Sequence, residues 1–201
     1  MKKNNAMITD INQLDFDKTY SYAEYLTWKF QERLELIKGK IFKMSPAPSR
    51  IHQNASVNLT GILWNEFKNH QCKLFSAPFD VRLLDKKKST KDKDIFTVVQ
   101  PDLCVICDEN KLDARGAFGA PDLVIEILSP GNSNKEMKYK FDLYQEAGVL
   151  EYWIVNPADK TFLIYVLKEN QFVGLHPLIE EDKINSPLFP NLDFILEEIF
   201  K

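Results

Sequence analysis

Asp102 and Glu126 are the residues whose placement first suggests chemistry. Asp102 follows Pro101 at the head of the apolar run LCVIC, and Glu126 sits inside LVIEIL. The second run is apolar enough for a strand covered on both faces. A carboxylate there is costly unless a cation, a metal ion or hydrogen-bond donors compensate it. Side chains alternate along a strand, so Asp122, Val124, Glu126 and Leu128 share one face. Asp102 and Glu126 come from two strands that can be neighbours. Two converging carboxylates suit a hard divalent cation such as Mg2+. They equally suit an ion pair with a Lys or Arg that has no further role.

Lys140 is the third member of this group. On a helical wheel, Met137, Phe141 and Tyr144 form the buried stripe, and Lys140 flanks it at about 60° from Met137. Among the lysines of its helix it is the one placed to reach back over a sheet. The plainer reading is a lysine whose stem covers apolar surface. Glu35 lies between Leu34 and Leu36 with opposite parity, which by itself means the solvent face. His52 falls in the first turn of a long helix, where a neutral imidazole can bind a metal or a phosphate, or simply be a partly exposed histidine. The stretch 85–94 holds five Lys and three Asp. It can touch a phosphate backbone, or be a solvated loop.

The elements that position these residues can be read from periodicity. Residues 1–18 are polar and unpatterned, a loose arm. Residues 21–30 read as a short helix capped by Ser21. Residues 33–44 read as a hairpin turning at Lys38–Gly39. Ile51, Ala55, Leu59, Ile62, Leu63 and Phe67 recur at helical spacing over 50–69. Strands are expected at 72–77, 79–84, 96–107 and 123–128, with a loop over 108–120. A helix over 133–147 has Ser133 and Glu136 as a capping box and Gly148 at its end. EYWIVN, TFLIYVL and QFVGL are strands, the last two forming a hairpin, and LDFILEEIF is a short helix. The expectation is an α+β domain over 19–201, with a mixed central sheet flanked by helices.

Composition sets the bounds. The chain has 201 residues, 44% hydrophobic and 27% charged, with only 7 Gly. That fits one globular domain rather than a disordered or fibrous chain. A net charge of −3 removes the overall basic footprint of a nucleic-acid coat protein, but not a local phosphate site. No run approaches a membrane span, and no signal peptide is expected. Cys104 and Cys107 at i and i+3 of a strand face opposite sides, and Cys72 stands alone. Neither a zinc site nor a disulfide framework is expected, which suggests the reducing cytosol. Motifs for phosphate-binding loops, dinucleotides, serine hydrolases and zinc proteases are absent.

PDLCVI, GAPDLVIEILSP, KFDLYQEAGV and EYWIVNP, in this order, resemble the Uma-two family of endonucleases. That family belongs to the restriction-endonuclease-like PD-(D/E)-x-K superfamily. ELIKGKIFKMSPAPSRIHQ is similar to the family's N-terminal half and SPLFPNLDFILEEIF to its tail. The resemblance runs from about residue 20 to the end. It implies a restriction-endonuclease-like fold with an N-terminal helix–hairpin and a C-terminal β-hairpin. It implies that Asp102 and Glu126 hold Mg2+, or Mn2+ as a substitute, with Asp122 as a reserve ligand. Position 128 is Leu where the superfamily has Lys, and the resemblance assigns that role to Lys140. Glu35 matches a recurrent acidic residue and completes the catalytic set. His52 and Tyr144 are the expected substrate-binding residues.

The activity implied is hydrolysis of phosphodiester bonds in nucleic acid, DNA first, by a cytoplasmic protein that can act as a two-fold dimer. The alternatives are a catalytically silent nucleic-acid-binding or regulatory domain of the same fold, and a structural or protein-binding module.

Overall fold

The structure is a computed structural model describing residues 7–44, 49–84, 89–129 and 134–201. Its helices are α1 (Tyr22–Tyr25), α2 (Arg50–Phe67), α3 (Asn134–Ala147) and α4 (Glu197–Phe200). Its strands are β1 (Leu34–Ile37), β2 (Lys40–Lys43), β3 (Lys73–Ser76), β4 (Val81–Leu83), β5 (Thr97–Val99), β6 (Leu103–Ile106) and β7 (Leu112–Asp113). They continue with β8 (Gly116–Phe118), β9 (Leu123–Ile127), β10 (Glu151–Asn156), β11 (Thr161–Lys168), β12 (Gln171–Gly174) and β13 (Leu178–Ile179).

The strands make two mixed sheets instead of one. The first runs β2-β1-β5-β4-β8-β7, and the second β12-β11-β10-β9-β6-β3, with β13 on β11. The run 96–107 is shared between them, because Pro101 has no N–H to continue a ladder. Before it, Val98 pairs with Leu36 and Arg82; after it, Cys104 pairs with Phe75 and Val124. The expected loop over 108–120 contains the small β7–β8 hairpin. In the β1–β2 hairpin, Gly39 is required at the turn. Its φ is +78°, and a Cβ there would lie 2.3 Å from the Thr19 side chain.

The second sheet is sandwiched. On one face Leu103, Val105, Leu123, Ile125 and Trp153 meet Ala55, Leu59, Leu63 and Phe67 of α2. The i, i+4, i+8 spacing of these α2 residues makes the stripe that buries against the sheet. On the other face Cys104, Val124, Tyr152 and Ile154 meet Leu143 and Tyr144 of α3 and Ile37, Val81 and Val99 of the first sheet. The outer side of the first sheet, including Leu34 and Leu36, is covered by Ile11, Leu14, Tyr20, Tyr22 and Trp28. Residues 7–18 are therefore packed on the domain rather than a loose arm, because Ile11 and Leu14 have an apolar surface to cover. Helix α3 ends where Gly148 adopts φ +88° and donates to the Tyr144 carbonyl at 3.1 Å. The Ser133–Glu136 capping box lies outside the described residues.

Cys72 and Cys107 form a disulfide, which corrects the expectation of unpaired cysteines. The antiparallel register Lys73↔Ile106, extended by one residue, sets them opposite each other. Their separation of 35 residues hides this in the sequence. The inference to a reducing compartment loses that support. Cys104 is free and buried on the other face. Among the described residues, no helix is long and apolar enough to cross a membrane.

Candidate active site

Five elements converge on one cluster: β1 brings Glu35, α2 brings His52, the loop entering β6 brings Asp102, β9 brings Glu126, and α3 brings Lys140 and Tyr144. Asp102 is held at two points. Its Oδ2 accepts the Ile127 N–H at 2.8 Å, and its Oδ1 lies 3.4 Å from His52 Nε2. Its side chain keeps 23% exposure, enough to face solvent. Glu126 is buried next to it. Its Oε1 accepts from Lys140 Nζ at 3.0 Å and from the Tyr144 hydroxyl at 2.6 Å. Lys140 Nζ also lies 3.2 Å from Glu35 Oε1, which accepts the Gln100 N–H at 2.8 Å.

Glu35 is not on a solvent face; it is 2% exposed. Its parity is indeed opposite to Leu34 and Leu36, but those two point outward to the N-terminal layer, and the opposite side looks into the space between the sheets. Lys140 is also buried, 7% exposed, so it is a buried cation rather than one that snorkels to solvent. Leu128 is half-buried, two residues beyond Glu126.

Burial pushes the Glu126 carboxyl up to about 7; the charges of Asp102 and Glu35 add to this, while Lys140 and Tyr144 oppose it. Burial pulls Lys140 down, but Glu126 and Glu35 more than reverse this and hold it protonated. Burial raises the Tyr144 hydroxyl, which therefore remains a donor. Burial lowers His52, yet the bond to Asp102 and its charge raise it on balance.

Two expected residues take other places. Asp122 shares a strand face with Glu126 but lies four residues along it, roughly 13 Å away. Its Oδ2 accepts the Cys107 N–H at 2.7 Å, at the far end of β6 from Asp102. It is not brought to the cluster, because face parity says nothing about axial position. Tyr144 is fully buried, so it offers no surface to a substrate and instead supports Glu126 from behind.

Sequence reasoning missed Gln100, Arg33 and Glu151. Gln100 Oε1 accepts from Arg33 Nε and Nη2 at 3.1 and 2.8 Å, and its Nε2 donates to Asp80 Oδ1 at 2.8 Å. Nothing in residue type or spacing pointed to it. Glu151, a charge opening an apolar strand, carried the same signal as Glu126. Its carboxylate accepts from Trp153 Nε1, the Ser186 hydroxyl and the Leu188 N–H, tying the C-terminal segment to the sheet. A groove of about 320 Å3 opens beside Asp102, lined among others by Arg33, His52, Gln53, Ser56 and Thr60.

The donors present suit a hard divalent cation in kind: the Asp102 and Glu126 carboxylates and the nearby Ile127 carbonyl. Both Glu126 bonds fall on Oε1. Among the described residues no group of three or more His, Cys, Asp or Glu is drawn together to hold an ion alone. Mg2+ does not require one, since it commonly takes one or two carboxylates and completes its shell with water and phosphate.

A Pro-Asp strand entry, an in-strand glutamate and a helix-borne lysine thus meet between the two mixed sheets. A crystal structure described as "a putative nuclease belonging to DUF820", from Anabaena variabilis, shares the fold at a TM-score of 0.68. The match covers 90% of this chain and 97% of that one at 20% identity. The chain belongs to the Uma2 family, described as "Putative restriction endonuclease", whose model matches residues 22–197. It is also 26% identical over 137 residues to an uncharacterized protein of Synechocystis, covering 67% of each chain.

Proposed function

We propose that this member of a nuclease family is a metal-dependent endonuclease that hydrolyses phosphodiester bonds in DNA. The observation that carries this reading is the meeting of Lys140 with Glu126 beside Asp102. Asp102 and Glu126 would hold Mg2+ or Mn2+, with the Ile127 carbonyl as a further ligand. The ion, when bound, supplies polarisation of the phosphate and a lowered pKa for bound water.

The chain's own residues do the remaining tasks. Lys140, kept protonated, stabilises negative charge developing on the phosphoryl oxygens. Glu35 and Glu126 fix its ammonium between them. Tyr144 fixes Glu126, and the Ile127 N–H with His52 fixes Asp102. Gln100 fixes Glu35 through its backbone. Cutting both strands would call for a second copy, most simply in a two-fold dimer.

The test is plasmid nicking with Mg2+ or Mn2+, wild type beside Asp102→Asn purified in parallel. Cleavage by wild type alone is expected; equal cleavage by both would overturn the reading. One observation favours a second reading, a silent nucleic-acid-binding domain: Glu35, Lys140 and Glu126 already form a closed ion triad. Calorimetry separates the two, since a silent domain has no reason to bind Mn2+ at Asp102.

A further inference from the structure

We propose that Arg33 binds a backbone phosphate of the substrate in the groove beside Asp102, and that Gln100 is the positioning residue that presents it. This rests on the nuclease reading and names the residues that would hold the strand next to the cut.

The argument begins with charge. Of the four arginines, Arg82 is paired with Asp113, Arg115 with Asp92, and Arg50 is exposed at the start of α2. Arg33 is held differently. Two of its donors go to the neutral amide oxygen of Gln100. A carboxylate partner would both orient and neutralise a guanidinium, whereas an amide only orients it. Arg33 is exposed and lines the groove, so a guanidinium held directly by a neutral amide, with the Asp80 carboxylate behind that amide, faces that space. A guanidinium carries five N–H donors in a fixed fork, and three remain for an anion.

The Gln100 amide is itself fixed. Its NH2 donates to Asp80 and its oxygen accepts from Arg33, so the reversed amide would set donor against donor and acceptor against acceptor. Its backbone N–H serves Glu35. One residue therefore ties the groove cation to the catalytic cluster, and it stands two positions before Asp102. The far wall of the groove is polar too. Gln53, Ser56 and Thr60 recur at i, i+3 and i+7 on one face of α2 and line it with Asp102. Hydroxyl and amide groups around an arginine are the usual makeup of phosphate and sugar contacts.

The test uses the full chain in EDTA, so that binding is read without cleavage. A fluorescein-labelled single-stranded DNA is titrated by anisotropy at several salt concentrations. Arg33→Ala is expected to bind about tenfold more weakly. Its slope of log affinity against log salt should be shallower by about 0.7, one phosphate contact on a single strand. Gln100→Ala is expected to weaken binding in the wild-type background and to add nothing in the Arg33→Ala background. A structural role for Gln100 would instead cost the same in both backgrounds and would overturn the positioning claim. Wild-type affinity and slope in Arg33→Ala, with the wild type still nicking plasmid, would overturn the phosphate site and leave the nuclease reading standing. A wild type that neither binds nor nicks would overturn both.

Discussion

The Lys140 ammonium stands 3.0 Å from Glu126 Oε1, deep between two sheets, and it comes from a different element fourteen residues along the chain. With Glu35 at 3.2 Å on its other side, it is the cation that makes two buried carboxylates tolerable. Removing one partner of a buried pair strands the other, at a cost of about 3–5 kcal/mol. Lys140→Met should therefore lower the urea midpoint sharply, and adding Glu35→Gln should recover part of the loss. A Lys140→Met protein as stable as wild type would contradict the triad.

Glu126→Gln keeps an oxygen for Lys140 and Tyr144 but removes the charge a divalent ion needs. It should fold and lose cleavage. Circular dichroism and plasmid nicking on one preparation check this, and a fully active variant would refute the assignment.

Metal binding should separate the two aspartates. Asp102→Asn should abolish the Mn2+ calorimetric signal. Asp122→Asn, altered at the far end of β9, should retain both metal binding and nicking. Loss of metal binding in Asp122→Asn alone would reverse their roles.

Tyr144→Phe deletes a 2.6 Å hydrogen bond to a buried carboxylate. The expected destabilisation is about 1.5–3 kcal/mol, the range for bonds to charged groups. DNA affinity measured in EDTA should not change, because the ring is fully buried. A loss of affinity without a loss of stability would restore Tyr144 to the substrate.

Glu151 supplies a pH test away from the cluster. Burial raises its pKa above the ordinary carboxylate range, against the three hydrogen bonds it accepts. The folded state thus holds this proton more tightly than the unfolded one. That contribution to stability is full below the unfolded pKa and is lost as pH rises through the folded pKa. The stability of wild type relative to Glu151→Gln should be greatest below the ordinary glutamate pKa and should fall toward neutrality. Urea midpoints at several pH values measure it, and a relative stability that rises with pH would show the opposite shift.

Short-range patterns in the chain settle a good deal of this fold. The three- and four-residue spacing of Ala55, Leu59, Leu63 and Phe67 determined α2 and its buried stripe. Gly39 determined the first hairpin, and the apolar run around Glu126 determined a strand whose carboxylate needed compensation. These depend on local periodicity and turn chemistry, which a sequence carries in full. Tertiary structure alone decided which cation compensates Glu126 and that Glu35 shares it. It split 96–107 between two sheets, set Cys72 against Cys107, and moved Asp122 away from Asp102. It also hung Arg33 on Gln100. Each of these depends on strand register and on which layer covers which face, and such long-range choices leave no periodic mark in the chain.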